Sequence, residues 1–231
     1  GEERLINTAI LQDTYEEPVL AAKKIRKKFG RMQVLKSVDI QIRQGDCIVL
    51  IGENGVGKST LIRILSGTMK PDYSESLIVC GEDLFTSEKS RNKIGLICHQ
   101  TMLYSDLSAL ENLQFFSRLY GINHEEEKIN TLLDRFGLSL RKNDPIRSYS
   151  RGMQQRIAIC RALIHEPKLL LMDEPFTGLD EKGTKILIEV ILEMKSQKKA
   201  VLLTTHDPNS MKALATKYIK LEKGLITGDA E

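Results

Sequence analysis

The chain has 231 residues, of which 41% are hydrophobic and 5% aromatic. A chain of this length and composition can bury one sizeable core, which favours a single compact domain over an array of repeats. Its 34 basic and 31 acidic residues nearly balance. This balance does not predict the strongly basic surface that is typical of nucleic-acid-binding proteins, so we expect no nucleic-acid partner.

Four cysteines are scattered along the chain in apolar surroundings and lack the CxxC spacing of a metal site. We therefore expect buried free thiols, which are typical of a reducing compartment. No apolar run approaches the ~18 residues of a membrane-spanning helix, and no signal-peptide pattern is present, so we expect a soluble chain. The first residue is Gly1 rather than Met. We expect residues 1–17 to be an N-terminal extension that derives in part from a tag or from processing.

Short β-prone runs alternate with helical patterns, which is typical of an α/β domain with a largely parallel sheet. The predicted strands are 19–25, 38–42, 47–51, 94–98, 169–172 and 200–204, followed by a hairpin at 218–227. The predicted helices that flank them are 58–66 and 182–195.

Residues 108–148 differ from the rest of the chain, because apolar residues recur at helical spacing and no strand pattern interrupts them. This stretch predicts an all-helical insertion. With its flanks, we place that helical subdomain at about 101–165, inside a single domain that spans 18–228.

A glycine-rich loop follows the predicted strand 47–51. It matches the pattern GxxxxGK[ST] with Gly52, Glu53, Asn54, Gly55, Val56, Gly57, Lys58, Ser59 and Thr60. In a strand-loop-helix setting, the backbone N–H groups of such a loop surround the α- and β-phosphates of a nucleotide. We expect Lys58 to contact the β- and γ-phosphates and Ser59 to ligate Mg²⁺. Many classes of nucleotide hydrolase and kinase share this loop.

Two acids, Asp173 and Glu174, end the apolar strand pattern 169–172. Because burying charge is costly, acids at the end of a core strand usually face a cation or a reacting group. We expect Asp173 to hold Mg²⁺ and Glu174 to orient and deprotonate an attacking water.

Two further polar residues follow predicted strands. Gln100 comes after 94–98, and His206 comes after 200–204. An isolated surface histidine has no special role, but the position of His206 favours contact with a γ-phosphate. Because ligands gather at the carboxyl ends of parallel strands, we expect these residues, the acids and the loop to converge on one crevice.

The order and spacing of these motifs resemble the ATP-binding-cassette (ABC) family over residues 19–227. The motifs beyond the phosphate loop and the acidic strand end are Gln100 in the Q-loop, 150–156 at the signature helix, 177–180 in the D-loop and His206 in the H-loop. The resemblance implies a P-loop NTPase core with a mostly parallel sheet, an antiparallel β portion near the N-terminus and an inserted all-helical subdomain. It also implies an ATPase that uses ATP and Mg²⁺.

The family pattern implies roles for five residues. Phe29 would stack on adenine, although a core position that closes the first strand is an alternative. Gln100 would join the ligands of Mg²⁺. Ser150 and Gly152 would contact the γ-phosphate bound by a second protomer, and Asp180 would lie at the seam of that dimer.

The signature departs from the family's LSGGQ pattern, since the chain reads Tyr149, Ser150, Arg151, Gly152 and Met153 there. The serine and the second glycine carry the phosphate contacts, so we expect catalysis to survive. The missing glutamine puts a sugar contact in doubt, and the role of Arg151 stays open.

The resemblance further implies a transporter subunit that forms a homodimer or heterodimer and docks on separate transmembrane permease subunits at the cytoplasmic side of the membrane. Residues 111–121 and the signature resemble the ABC-2-type and haem-exporter-like branch, which favours export. Met102, Leu103, Tyr104 and Leu107 are a candidate docking surface, with a core role as the alternative.

Two other functions are weighed against transport. A soluble ABC ATPase that acts on nucleic acid or ribosomes is the main alternative, but the chain shows neither two fused cassettes nor a long coiled coil. A GTPase or small-molecule kinase would leave the signature and His206 unexplained, and the chain has no NKxD motif.

Overall fold

The computed structural model describes residues 17–227, so the predicted extension lies almost wholly outside the described residues. The strands are β1 (Leu20–Phe29), β2 (Met32–Ile42), β3 (Cys47–Ile51), β4 (Ser76–Val79), β5 (Glu82–Asp83), β6 (Ile94–Ile97), β7 (Leu169–Asp173), β8 (Ala200–Thr204), β9 (Lys217–Glu222) and β10 (Leu225–Thr227). The α-helices are α1 (Lys58–Leu65), α2 (Glu88–Arg91), α3 (Ala109–Leu119), α4 (Glu125–Arg135), α5 (Arg151–Leu163) and α6 (Glu181–Ser196).

A six-stranded sheet forms the centre of the fold, with strand order β10-β9-β3-β8-β7-β6. Its strands from β9 to β6 run parallel, and β10 pairs antiparallel with β9 as the closing hairpin. The phosphate loop, the two acids and the segment with His206 follow β3, β7 and β8, which are neighbours in this sheet. The fold therefore gathers these segments at one edge.

A four-stranded antiparallel sheet, with order β2-β1-β4-β5, forms a second layer. The strand predicted at 19–25 continues to Phe29, and β2 begins at Met32 rather than near 38. Both strands are longer than predicted because the basic end of β1 pairs with β2 around Gly30, whose φ of 58° suits a tight turn. The sequence pattern did not predict β4, β5 or α2.

The central sheet is buried on both faces. Alternate residues of β3 face opposite sides: Ile48 and Leu50 pack with the antiparallel sheet and α1, whereas Val49 packs with α3 to α6. Such double burial explains why the parallel strands read as nearly continuous apolar runs in the sequence.

Residues 108–148 contain most of the predicted helical insertion as α3, α4 and two short 3-10 segments, Ser139–Arg141 and Ile146–Ser148. Helix α5 follows them, inside the wider range 101–165. Within the described part of this stretch, no strand is present. Helix α3 begins with a capping box, in which Ser108 and Glu111 satisfy each other's backbone N–H groups. The bounds of the helical subdomain and of the whole domain stay predictions.

The four cysteines are free thiols. Cys47 and Cys160 are buried as predicted, and Cys98 is half-buried. The expectation of burial was wrong for Cys80, which is exposed because it lies in the turn between β4 and β5, with a φ of 48°. Between residues 17 and 227, no helix combines the length and apolarity that crossing a bilayer requires.

Candidate nucleotide site

The phosphate loop joins the end of β3 to the start of α1. Gly57 precedes the helix with a φ of 115°, and a Cβ there would lie 2.5 Å from the Val34 side chain. Gly55 has a φ of 76°, but a Cβ there would meet nothing within 4 Å. The loop is thus tightly packed at Gly57 and open at Gly55. No side chain caps α1, so its first N–H groups remain available to an anion.

The Lys58 ammonium lies inside the curve of this loop. Its Nζ donates hydrogen bonds to the carbonyl oxygens of Gly52 at 2.6 Å and Glu53 at 2.8 Å. These bonds hold the positive charge beside the N-terminus of α1. Both the charge and the helix dipole therefore favour an anion at the loop.

The two acids at the end of β7 share one buried neighbour, Thr204 of β8. The Thr204 hydroxyl donates to Asp173 Oδ1 at 2.7 Å and accepts the backbone N–H of Glu174 at 3.0 Å. Asp173 and Thr204 are register partners in the sheet. Pairing of the parallel strands therefore places the hydroxyl against both acids.

Glu174 has a φ of 51°, an uncommon value for a residue with a side chain. Its Oε2 accepts a hydrogen bond from the His206 backbone N–H at 3.2 Å and lies 3.0 Å from His206 Nδ1. The imidazole is exposed, whereas the Glu174 side chain is half-buried. His206 thus contacts the second acid directly.

One cavity of about 360 Å³ joins the loop to the acids. Its lining includes the predicted residues Phe29, Asn54, Gly55, Gly57, Lys58, Ser59, Thr60, Asp173 and Glu174. Phe29 is 46% exposed at the end of β1, so it is not part of the hydrophobic core. Gly52 and His206 contact cavity residues without lining the cavity. Four other predicted residues are not among its described lining: Gln100, Ser150, Gly152 and Asp180.

The signature and the D-loop lie against each other instead. Ser150 is the N-cap of α5 and accepts the Met153 N–H, while Asp180 is the N-cap of α6 and accepts the Gly183 N–H. A Cβ on Gly152 would lie 3.5 Å from Asp180 Oδ2. The predicted phosphate-contacting residues of the signature therefore sit beside the predicted seam residue.

Two arginines of α5 hold this pair of segments together. Arg151 packs over Gly178 of the D-loop, since a Cβ on Gly178 would lie 2.8 Å from the Arg151 Nε. Arg156 is buried, donates to the Phe136 carbonyl oxygen at 2.7 Å and pairs with Asp180 at 3.3 Å. The Arg151 side chain therefore contacts the D-loop of its own chain.

Exposed apolar side chains surround the start of the helical stretch. Tyr104 and Phe115 are in edge-to-face contact with ring centroids 5.2 Å apart. The apolar surface consists of Met102, Tyr104, Phe115 and Leu119, which are all exposed. Leu103 packs against the core instead, and Leu107 is half-buried. The predicted docking residues therefore divide between surface and core.

A second cavity, of about 430 Å³, lies beside this surface, between α3 and β6. Arg161 lines it and donates to the Leu96 carbonyl oxygen at 2.7 Å. His165 also lines it, stacks on Tyr120 with centroids 3.9 Å apart and bonds the Ile94 carbonyl oxygen at 2.8 Å. Burial lowers the pKa of His165 to about 4.

Three residues of the site were missed in the sequence: Thr204, Met32 and Val34. Thr204 reads as an ordinary strand residue, and only its register with Asp173 reveals its contacts. Met32 lines the nucleotide cavity and is 64% exposed. Met32 carries no sequence signal of a site, because it is an apolar residue beside a glycine turn. A hairpin predicted around that turn would have paired Met32 with Phe29.

Known proteins are similar to this chain in sequence and in fold. A family model for ABC transporters matches residues 35–177. The chain is 33% identical over 208 residues to the ABC transporter ATP-binding protein NatA of Bacillus subtilis, which covers 89% of this chain and 85% of NatA. A solved structure of the ATP binding subunit of an ABC transporter has a TM-score of 0.85 and 29% sequence identity, covering 92% of this chain and 89% of that one.

A further relative carries an export function in its name. The chain is 37% identical over 191 residues to the Nod factor export ATP-binding protein I of Cupriavidus pinatubonensis. The match covers 81% of this chain but 58% of that relative, so the chain spans little more than half of its length.

Proposed function

The chain belongs to the ABC transporter family, as an ATP-binding subunit that hydrolyses ATP, and we propose that it drives export as one half of a nucleotide-sandwiching dimer. The observation that carries the proposed site is the cavity shared by the phosphate loop and the two acids. The glycine-rich loop and the carboxylates of Asp173 and Glu174 line the same cavity.

The residues of this cavity divide between binding and chemistry. We propose that Phe29 stacks on adenine, because its ring is exposed at the cavity wall. The backbone of residues 52–57 and the start of α1 would hold the phosphates. Lys58 would neutralise the β- and γ-phosphates, since its ammonium is already fixed beside the helix N-terminus.

The oxygen donors of the cavity fit a magnesium ion. The Ser59 hydroxyl and the Asp173 carboxylate line the same space, and Mg²⁺ prefers such oxygen ligands. When bound, the ion would neutralise phosphate charge and help to orient the γ-phosphate. Gln100 does not line this cavity, so in this conformation we do not count it among the proposed ligands.

Hydrolysis needs a base near the γ-phosphate. We propose that Glu174 accepts a proton from the water that attacks the γ-phosphorus, so that the bond to the leaving ADP oxygen breaks. His206 would hold the Glu174 carboxylate by the two contacts described above and would face the γ-phosphate itself. Thr60 and Asn54 would complete the wall around the phosphates.

The signature supports a site shared between two chains. Ser150 and Gly152 lie at the N-terminal end of α5, a helix of 13 residues, and such helix ends attract anions. Neither residue lines the nucleotide cavity of its own chain. The Ser150 hydroxyl accepts the Met153 N–H, which leaves its O–H free to donate to a phosphate oxygen. We propose that they bind the γ-phosphate held by a second protomer, with Asp180 at the seam.

The remaining partners are membrane subunits. We propose that the exposed apolar surface of Met102, Tyr104, Phe115 and Leu119 docks on a separate transmembrane permease subunit, which places the chain peripherally on the cytoplasmic side of the membrane. A patch of exposed aromatic and aliphatic side chains is typical of a protein-binding surface. The similarity to a Nod factor export protein supports export, and nothing found supports the alternative of nucleic-acid or ribosome binding.

The proposed chemistry is tested by two substitutions in the cavity. Glu174→Gln is expected to keep ATP binding and to lower the turnover rate by about 10² to 10⁴, the usual contribution of a general base. Lys58→Ala is expected to lower both affinity and rate. The control is Glu126→Gln, on an exposed part of α4, which should change neither. A Glu174→Gln rate within a few-fold of the parent would remove Glu174 from the base role.

A further inference from the structure

We propose that Thr204 is a positioning residue that aligns both acids of the site through its single hydroxyl. The inference rests on the proposed roles of Asp173 in metal binding and Glu174 as base. Thr204 itself touches neither nucleotide nor water in that proposal, and it acts only through the two acids.

The Thr204 hydroxyl makes two hydrogen bonds, one as donor and one as acceptor. A hydroxyl has one proton to donate, and Thr204 donates it to Asp173 Oδ1 at 2.7 Å. The same oxygen accepts the Glu174 N–H at 3.0 Å. Asp173 and Glu174 are consecutive in the chain. The Thr204 side chain therefore fixes the carboxylate of Asp173 and the backbone of Glu174.

The backbone of Glu174 adopts an uncommon conformation. Its φ of 51° turns the chain sharply directly after the strand, and such values persist only where the surroundings hold them. The bond from the Glu174 N–H to Thr204 is one such restraint, and His206 holds the side chain at the other end. The turn aims the Glu174 carboxylate at His206.

Thr204 is fully buried. It lies in β8, between β3 and β7, so its rotamer is locked by the sheet. If the Thr204 hydroxyl is removed, a water molecule cannot take its place unless the strands of the sheet separate. Loss of a hydrogen bond to a metal-binding carboxylate typically costs about 10- to 100-fold in metal affinity or activity.

Thr204→Val removes the hydroxyl while keeping the shape of the side chain. We expect the dissociation constant for Mn²⁺, used as a probe for Mg²⁺ and measured by electron paramagnetic resonance with ADP bound, to rise about 10- to 100-fold. The turnover rate should fall by a similar factor, and Thr204→Ser should restore both to within about threefold because it retains the hydroxyl.

The matched control is Thr216→Val. The Thr216 hydroxyl also makes two hydrogen bonds, both to the backbone of Cys47 at the far end of β3 from the phosphate loop. This variant should lose stability without any change in Mn²⁺ affinity. If Thr204→Val does not fold, Thr204→Ala replaces it with the same expectations.

The inference is overturned if a folded Thr204→Val or Thr204→Ala protein binds Mn²⁺ and hydrolyses ATP as the parent does. It is also overturned if Thr204→Ser is as impaired as Thr204→Val. Failure of the proposed function looks different, because the parent protein itself would then show no Mn²⁺ binding with nucleotide and no dependence on Glu174.

Discussion

The Glu174 carboxylate is held by His206 through two atoms, the backbone N–H at 3.2 Å and the ring Nδ1 at 3.0 Å. Both contacts go to the same oxygen, Oε2. The other carboxylate oxygen of Glu174 remains for the attacking water in the proposed reaction. In the proposed reaction, His206 would therefore position the base as well as face the γ-phosphate.

Removal of this imidazole is expected to slow hydrolysis. His206→Ala keeps the backbone contact but loses Nδ1, so the carboxylate can turn away from the water. We expect the turnover rate to fall by about 10- to 100-fold, since misplacement of a reacting group by about 1 Å can cost about 10²-fold. The control is His124→Asn, which removes an exposed imidazole at the start of α4 and should leave the rate unchanged. A normal rate in folded His206→Ala would contradict the role.

The base-stacking role of Phe29 predicts a loss of affinity without loss of stability. Phe29→Ala should weaken ATP binding by about 1 to 3 kcal/mol, the scale for stacking of a base on an aromatic ring. Because the ring is 46% exposed, the melting temperature should barely change. Phe29→Tyr should bind normally. Tyr73→Ala is the control, since Tyr73 is equally exposed but does not line the cavity. Unchanged affinity in Phe29→Ala would exclude stacking.

The buried imidazole of His165 predicts a loss of stability in mild acid. Burial lowers its pKa in the folded chain from 6.5 to about 4, partly offset by the hydrogen bond to the Ile94 carbonyl. Above pH 6.5 the ring is neutral in both states. Between pH 6.5 and 4 the unfolded chain binds a proton that the folded chain does not, so the free energy of unfolding decreases as the pH falls.

Urea unfolding at pH 7.5 and 4.5 measures this effect. The His165 contribution to the decrease should be about 2 to 3 kcal/mol at pH 4.5. His165→Phe keeps the stacking on Tyr120 but cannot be protonated, so its stability should depend less on pH by about that amount. An identical pH dependence in the two proteins would show that His165 is not the group responsible.

The sequence predicted which segments line the cavity better than the contacts between their side chains. The loop at 52–60 and the acids 173 and 174 were recognised because each combines a residue pattern with a strand before it. Thr204 was missed because its function depends on strand register, which pairs residues 31 positions apart. The length of β1 was underestimated because cross-strand pairing with β2 outweighs its run of basic side chains. Gln100 follows β6 as predicted, but it is not among the residues that line the cavity.

The central claim, that each active site is built from two chains, is tested by mixing two inactive variants. Lys58→Ala disables the phosphate loop, and Ser150→Arg blocks the signature. In a mixed dimer, one site combines the intact loop of one chain with the intact signature of the other. Random pairing in a two-fold dimer then leaves about a quarter of all sites whole.

The measurement is the amount of labelled nucleotide trapped in the closed dimer, which does not require both sites to turn over. The account predicts that the mixture traps nucleotide at about a quarter of the parent's sites, while each variant alone traps almost none. If mixed dimers form and trap no more nucleotide than either variant alone, the shared site is contradicted.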